Sequence, residues 1–374
     1  MTVTTDLVFE KLTMESKEEY TDFLMQAYKD EFHSHLFGDH EAVKRKWIWE
    51  YVECRVPVKD KPLIWILRIK GRMAGQMCVM PVMLNVRGKL YKAGWCQDFI
   101  VLPEHRKKGI GYSIVRHVTE ESKKYLDVLL AIVASEASYK VFQRASYIDI
   151  GFTSRNIKVL NAENIVNKLT ENKIMRFSSG IAVRALFGVL GALKPLYSDS
   201  TLNILETGGF EGDLSSICSA RSKNFPFNIE KDIEALRWRF INQPCWNYKV
   251  FVARSGLTVK GYIILREADI LRGRLTGLKT GIIADISFNY NEKKVGMALL
   301  DRAIRYFYGR ADIVRFDFLS KDLASIAGLS GFINIRSRNR CYMAPLAEDL
   351  KSKASGTFKN GWYLTYSDSD LDLS

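Results

Sequence analysis

The chain has 374 residues and a formal net charge of +13, a length that is long for one core and comfortable for two. Its composition, 47% apolar and 12% aromatic, excludes an intrinsically disordered chain. The charge calls for acidic partners: coenzyme phosphates, sugar nucleotides, anionic glycans, membrane surfaces or nucleic acid. Against nucleic acid, the basic residues are scattered and form no RNP, zinc-finger or basic-zipper pattern.

The cysteines (Cys54, Cys78, Cys96, Cys218, Cys245, Cys341) are far apart and form no C-x-x-C pair. Several sit in apolar runs and read as reduced core residues of a cytoplasmic protein. There is no signal-peptide pattern at the N-terminus and no window of about 18 uncharged apolar residues, so neither export nor a transmembrane helix is expected.

In chain order, Ser16 and Glu19 make a capping-box pattern. Tyr20, Phe23, Leu24, Ala27 and Tyr28 follow on one face of a helix. His33, His35 and His40 cluster after it. With no fourth ligand or cysteine nearby, they read as a solvated or substrate-lining loop, and no metal site is expected. Trp47, Trp49 and Tyr51 stand at a spacing that suits a core, or a surface that stacks on a sugar. Leu63–Ile69 and Met73–Met83 read as strands about a Lys70-Gly71 turn, and Leu90–Leu102 as a third.

That third strand runs into Pro103, then into Arg106-Lys107-Lys108-Gly109-Ile110-Gly111, then into a helix with Ile114, Val115 and Val118 on its buried side. A helix start of this kind presents unpaired N–H groups, the positive end of the helix dipole and basic side chains, which together suit a pyrophosphate. No Gly-Lys-Ser/Thr follows, so it is not a Walker loop, and the spacing is not G-x-G-x-x-G. Asp127–Val133 reads as a buried strand, followed by a helix over Ser135–Arg144 and a last strand near Ile157–Leu160.

The chain then repeats itself. Asp98, Arg106, Gly109 and Gly111 are matched by Asp285, Lys293, Gly296 and Ala298; 285 minus 98 and 296 minus 109 both give 187. At drifting separations Trp47 parallels Trp238, Gly75 parallels Gly261, Asp127 parallels Asp312, and Arg155-Asn156 parallels Arg338-Asn339. Such an ordered series marks two copies of one unit. In the second, Leu299, Leu300, Ala303, Ile304 and Phe307 give the equivalent helix its apolar stripe. Between the copies, Lys168, Lys173, Arg176, Arg184 and Lys194 stand among apolar residues. A helix over Ile181–Leu193 reads as packed on its own protein; peripheral membrane contact through residues 170–195 is the competing reading.

The spacing of Arg106, Gly109 and Gly111 resembles the acyl-CoA pyrophosphate loop of the GNAT N-acetyltransferase superfamily. The order of hairpin strands, loop, helix, parallel strand, helix and strand resembles the GNAT fold. The resemblance implies an α/β protein, an α+β mixed sheet, with two GNAT-like domains in tandem. Residues 1–165 would carry the acyl-CoA loop, 166–230 would connect, and 231–374 would form a degenerate second copy. Leu236–Phe240, Pro244 and Trp362–Asp370 are similar to segments of tandem-GNAT proteins associated with bacterial polysaccharide biosynthesis.

The resemblance further implies that acyl-CoA lies across the sheet edge. Backbone N–H groups from Arg106 to Gly111 would hold the pyrophosphate, with charge-assisted contacts from Arg106, Lys107 and Lys108. Relatives commonly carry glycine where Lys107 stands. Phe99, Ile100 and Val101 would pair with the pantetheine arm as an added strand, and an N–H near Val101 would polarise the thioester. Asp98 is the nearest carboxylate for a general base; its alternative is an aspartate that fixes a strand end. The tyrosine that often serves as general acid is replaced here by Phe142, and the usual upstream asparagine by Ser135. Tyr139, one turn earlier, is the substitute, or else a packing tyrosine. The second copy's loop, Lys293–Ala298, is expected mainly to complete an acceptor cleft.

The expected reaction moves an acetyl group from acetyl-CoA to a primary amine, with an amino sugar of a glycan or sugar-nucleotide pathway as acceptor. The rivals are a FemABX-like aminoacyl transferase, against which the Arg106–Gly111 loop argues, and a non-catalytic acyl-CoA-binding or scaffold protein.

Overall fold

The computed structural model describes residues 7–29, 39–169, 201–211, 214–271, 273–353 and 355–369. His33, His35 and the basic segment at 170–195 lie outside the described residues. The first half opens with β1 (Leu7–Lys11), α1 (Lys17–Ala27) and α2 (His40–Trp47), and a π-helical turn at Ile48–Val52 extends α2. β2 (Ile64–Ile69), β3 (Arg72–Val86) and β4 (Lys89–Val101) form an antiparallel meander. Its two turns, Lys70-Gly71 and Arg87-Gly88, have positive φ at both residues, as a tight twisted hairpin requires. α3 (Ile110–Ser122) leads to β5 (Val128–Val133), parallel to β4; α4 (Glu136–Arg144), β6 (Ile148–Phe152), β7 (Ser154–Val159) and α5 (Ala162–Leu169) follow.

The second half follows a similar order, with β9 (Phe227–Ile229) and β16 (Trp362–Thr365) added. It comprises β8 (Asn203–Thr207), α6 (Ser215–Asn224), β9 (Phe227–Ile229) and α7 (Ile233–Leu236), which a second π-helical turn extends over Arg237–Ile241. The meander β10 (Tyr248–Ser255), β11 (Thr258–Asp269) and β12 (Lys279–Phe288) precedes α8 (Lys293–Phe307), β13 (Ile313–Leu319) and α9 (Lys321–Leu329). β14 (Ile333–Ile335), β15 (Arg340–Pro345), α10 (Glu348–Lys351) and β16 (Trp362–Thr365) complete it. All sixteen described strands belong to one mixed sheet.

Two pairs of residues from the sequence series sit in similar surroundings. A Cβ on Gly75 would lie 2.8 Å from the Ile100 carbonyl and 2.8 Å from Ile114 of α3. One on Gly261 would lie 2.7 Å from the Ser287 carbonyl and 3.1 Å from Leu299 of α8. Each glycine lets a helix sit close on its sheet. Asp127 accepts the Lys92 N–H (2.9 Å) and Asp312 the Lys279 N–H (2.8 Å), each pinning the entry to its parallel strand.

The closing strands are exchanged. β7 leaves the first half and pairs with β13 and β14, whereas β15 enters the first half between β5 and β6. The bonds beyond them mirror each other: Leu160 and Asn161 N–H donate to the Asp312 carbonyl, Leu346 and Ala347 N–H to the Asp127 carbonyl. The two crossings meet where Thr153 Oγ1 and Ser337 Oγ lie 2.9 Å apart. The last strand near residue 157 therefore does not close the first unit, as the chain order suggests.

Three sequence readings shift. The π-helical turns superpose Trp49, not Trp47, on Trp238, and those two rings stack at 4.8 Å; the sequence Trp47-Ile-Trp49 left that choice open. Arg155-Asn156 is not the counterpart of Arg338-Asn339, because the exchanged strands match Ser154–Val159 with Arg340–Pro345. The Ser16 side chain makes no capping bond: a 3-10 turn at Met14–Ser16 runs straight into α1, and Glu19 pairs with Arg68 at 2.6 and 2.8 Å. The stripe itself holds, with Tyr20, Phe23 and Leu24 buried under α1.

Candidate active site: a splayed cleft at the end of β4

The β3–β4 register passes from Gln76↔Ile100 to Cys78↔Gln97, so Asp98 and Phe99 together oppose Met77. This is a β-bulge, and Asp98 takes a φ of 44° in the left-handed region. The parallel β4–β5 pairing ends just before it, at Cys96↔Ala131. Beyond that point β4 bends away from β5, and the edge at Phe99–Val101 faces a cleft of about 740 Å³. The start of α3 and the outer face of α4 form its other walls, with Tyr112, Ser138, Lys140 and Arg144 among the lining residues.

The loop that crosses the mouth of the cleft is built by the sequence Pro103–Gly109. His105 and Arg106 N–H groups close a turn on Leu102 and Pro103. Lys107 and Gly109 have φ of 63° and 79°, and Gly109 caps α3 in that left-handed conformation. Arg106 Nε donates to the Val101 carbonyl at 2.8 Å, tying the loop to the free edge of β4. A Cβ on Gly111 would lie 3.1 Å from the Phe99 ring, so this glycine keeps α3 close to β4.

Of the residues assigned to the coenzyme from sequence, Phe99, Ile100, Val101, Arg106, Lys107, Gly109, Ile110 and Gly111 all line this cleft. Lys108 does not: its ammonium donates to the Glu104 carbonyl at 2.9 Å and lines a separate groove with Glu19 and His105.

Asp98 is half-buried and is not itself a lining residue of the cleft, because the bulge turns its carboxylate toward α1 and the first π-helical turn. Tyr28 donates a hydrogen bond to Oδ1, and Tyr51 donates to Oδ2 at 2.7 Å. Gln76 Nε2 donates to the Asp98 carbonyl at 3.1 Å, bracing the bulge. Tyr28 is also a lining residue of the cleft, so it joins the carboxylate to the coenzyme side. Behind Tyr51, Glu50 and Lys46 form a buried pair at 2.7 Å. Burial, opposed by Lys46 and reinforced by Asp98, raises the Glu50 carboxyl above its ordinary range. Burial and the Asp98 charge push the Tyr51 phenol well up, so it remains a hydroxyl donor.

Sequence reasoning found Asp98 but not its partners. Tyr28 and Tyr51 looked like members of apolar stripes, and only the bulge brings them to one carboxylate. Trp47 and Trp49 are buried, with Trp47 Nε1 donating to Thr21 and Trp49 Nε1 to the Trp238 carbonyl, so neither presents a face to a sugar. Phe142 is a core residue against Tyr147 and Tyr342. Tyr139 does not line the cleft; its hydroxyl donates to the main-chain carbonyls of Arg338 and Ala134. Near the cleft no described His, Cys, Asp and Glu residues group to hold a metal, and none do elsewhere among the described residues.

The second half has a bulge nearby on β12, where Ile264↔Asp285 gives way to Leu265↔Ile283 and Ala284 is the extra residue, but its gap is filled. β16 pairs with β13 at Phe318↔Thr365 and Leu319↔Leu364. Tyr363 donates to the Ile286 carbonyl at 2.6 Å, the counterpart of the free edge at Phe99. Asp285 is fully buried among Arg221 (3.0 Å), Lys231 (3.2 Å), Tyr262 (3.1 Å) and Thr365 (2.8 Å). Gly296 packs with its Cα side on Phe288, where a Cβ would lie 2.6 Å from the ring. The chain's own residues thus occupy the space that stays open in the first half.

Residues 9–147 match a family model described as an acetyltransferase (GNAT) domain. No curated protein matches the chain. Among solved structures, a protein of Enterococcus faecalis V583 titled "Probable N-Acyltransferase" superposes with a TM-score of 0.59 at 14% identity, covering 92% of this chain and 73% of that one. A GCN5-related N-acetyltransferase of Anabaena variabilis gives 0.59 at 12%, covering 91% and 73%. The N-myristoyltransferase of Saccharomyces cerevisiae, with bound myristoyl-CoA, gives 0.60 at 11%, covering 92% and 83%. At these identities the likeness shows the fold, and the sheet described above is a GNAT fold.

Proposed function

We propose that the protein is an acyl-CoA-dependent N-acyltransferase of the cytoplasm that moves an acetyl group from acetyl-CoA to a primary amine, an amino sugar in glycan or polysaccharide biosynthesis. The reading takes residues 1–165 and 231–374 as two GNAT-like units joined by 166–230. The single observation that carries it is the open cleft in which a free strand edge, a helix start without side chains at 109 and 111, and basic residues converge. A coenzyme fits this donor set: unpaired N–H groups at the start of α3 suit a pyrophosphate, and the edge at Phe99–Val101 suits an extended amide chain. The thioester, when bound, supplies an activated acyl group.

The protein's own part is to bind, orient and move protons. Backbone N–H groups between Arg106 and Gly111 hold the phosphates, and Arg106 and Lys107 add charge. Asp98, kept in place by Tyr28 and Tyr51, accepts the proton that the amine must lose. The acceptor class rests on the resemblance to polysaccharide-cluster proteins and on the net charge of +13.

Calorimetric titration of acetyl-CoA into the wild type and Gly109→Trp tests the coenzyme site. Position 109 has open space beside it, so the indole displaces no core atoms; its φ of 79° strains any side chain, so circular dichroism and thermal unfolding of the variant accompany the titration. Binding by the wild type that is lost in the variant is the expected result. No binding by the wild type would bring the aminoacyl-transfer and scaffold readings forward. Thiol release from acetyl-CoA with a panel of amino sugars then tests the acceptor.

A further inference from the structure

We propose that Tyr28 is the general acid of the transfer, joined to Asp98 in a closed proton relay. The inference rests on the acyl-CoA reading of the cleft. Two observations meet on this residue. Its hydroxyl donates to Asp98 Oδ1, and the residue is one of those that line the cleft with Phe99 and Ile100. No other described tyrosine does both: Tyr51 bonds Asp98 but does not line the cleft, and Tyr112 lines the cleft but has its ring under Arg144 at 4.4 Å. Tyr139, on the helix that faces the cleft, spends its hydroxyl on main-chain carbonyls.

The position is fixed. Tyr28 follows α1 directly, and its N–H closes the last turn on Leu24 at 3.0 Å. The ring is nine-tenths buried, which limits its rotamers, while the hydroxyl reaches the bulge. Tyr51 holds the other carboxylate oxygen at 2.7 Å, so Asp98 keeps a donor when the Tyr28 proton turns toward the cleft.

The proton count closes. As the amine nitrogen forms its bond to the acyl carbon and the carbon–sulfur bond breaks, one proton passes from nitrogen to the Asp98 carboxylate. The Tyr28 phenolic proton passes to the departing sulfur. The proton on Asp98 then returns to the Tyr28 oxygen along the hydrogen bond they share. One proton has moved from nitrogen to sulfur, and both side chains are restored.

The test needs no acceptor. Free CoA is bound to the wild type, Tyr28→Phe and Tyr51→Phe, with binding and fold verified by calorimetry and circular dichroism. The thiol of bound CoA is then titrated by its thiolate ultraviolet absorbance. A hydrogen bond from Tyr28 favours the thiolate, so the bound thiol in the wild type titrates about one pH unit lower than in Tyr28→Phe. Arg106, Lys107, Lys140 and Arg144 around the cleft, and Asp98 and Glu50 behind it, are common to all three proteins and do not produce the difference. Tyr51→Phe titrates like the wild type. Equal titration in wild type and Tyr28→Phe overturns the relay alone. An equal rise in Tyr51→Phe also overturns it, because Tyr28 would then act only by holding Asp98. Failure of CoA to bind the wild type overturns the coenzyme reading, and the relay with it.

Discussion

Asp98 lies in the bulge of β4 and Asp285 directly beside the bulge of β12, yet two tyrosine hydroxyls hold the first and two cations enclose the second. The difference follows from what fills the gap beside each bulge. In the first half the gap is open, and Asp98 is half-buried next to Phe99, which lines it. In the second half β16 fills it, so a carboxylate there is cut off from water and requires Arg221 and Lys231.

The two aspartates therefore respond oppositely to substitution. Asp285→Ala leaves Arg221 and Lys231 buried with only Asp368 to compensate them, at 3.7 and 2.8 Å. A cost of about 3–5 kcal/mol is expected, read as a lowered urea midpoint. Asp98→Asn keeps an acceptor for one tyrosine and costs about 1 kcal/mol or less. It lowers amine-dependent turnover by about 10²–10⁴-fold, with acetyl-CoA binding unchanged by calorimetry. Full turnover in Asp98→Asn would remove it as the base.

Asp285 also sets part of the acid limit of stability. Burial alone would raise its pKa, but Arg221 and Lys231 outweigh burial and hold it below the ordinary 3.8. A depressed folded value means that its contribution is complete above the unfolded pKa and is lost as pH falls through the folded one. The urea midpoint of the wild type should thus drop on this group's account only below about pH 4. In Asp285→Asn that part of the drop is absent and the midpoint is lower throughout.

Lys107 gives a test of the loop. Its φ of 63° is left-handed, a conformation that costs a residue with a Cβ about 1 kcal/mol or more. Glycine adopts it freely but loses more entropy on folding, so Lys107→Gly is expected to gain about 0.5 kcal/mol net. Thermal unfolding reads the gain. Because the backbone N–H remains, acetyl-CoA affinity should fall only by the loss of one cleft charge.

The loop at the start of α3 was legible because its geometry is local. Arg106, Gly109 and Gly111 fall in one short stretch, Arg106–Gly111, and a helix start after a strand needs no tertiary information to present N–H groups. Asp98 was legible through the repeat. Its tyrosines were not, since Tyr28 and Tyr51 reach it across 70 and 47 residues. Their spacing alone marks them as core. Tyr139 shows the converse error: one helical turn from Phe142 placed it near the right helix face, but the exchanged strand brings the Arg338 carbonyl to its hydroxyl. Nothing in the local pattern of Ser154–Val159 or Arg340–Pro345 states which half each strand joins, because both halves offer the same edge.

That exchange makes the last prediction. Residues 1–165 carry β7 but lack β15, which pairs with β5 through six residues from Arg340↔Val133 to Pro345↔Val128. Without β15, the buried strand β5, with Leu129, Leu130 and Ala131 fully covered in the whole chain, is left with an unpaired edge and β6 loses its neighbour. Such an edge templates association. β7 would meanwhile have no partner, since β13 and β14 are also missing. The fragment 1–165 is expected to elute as aggregate on size exclusion and to show no cooperative thermal transition. The fragment 1–153 joined through a flexible linker to 340–351 restores the missing strand and removes the orphaned one, and should recover a monomer with a cooperative transition. A monomeric, cooperatively folded 1–165 would show that the first half closes without the exchanged strand.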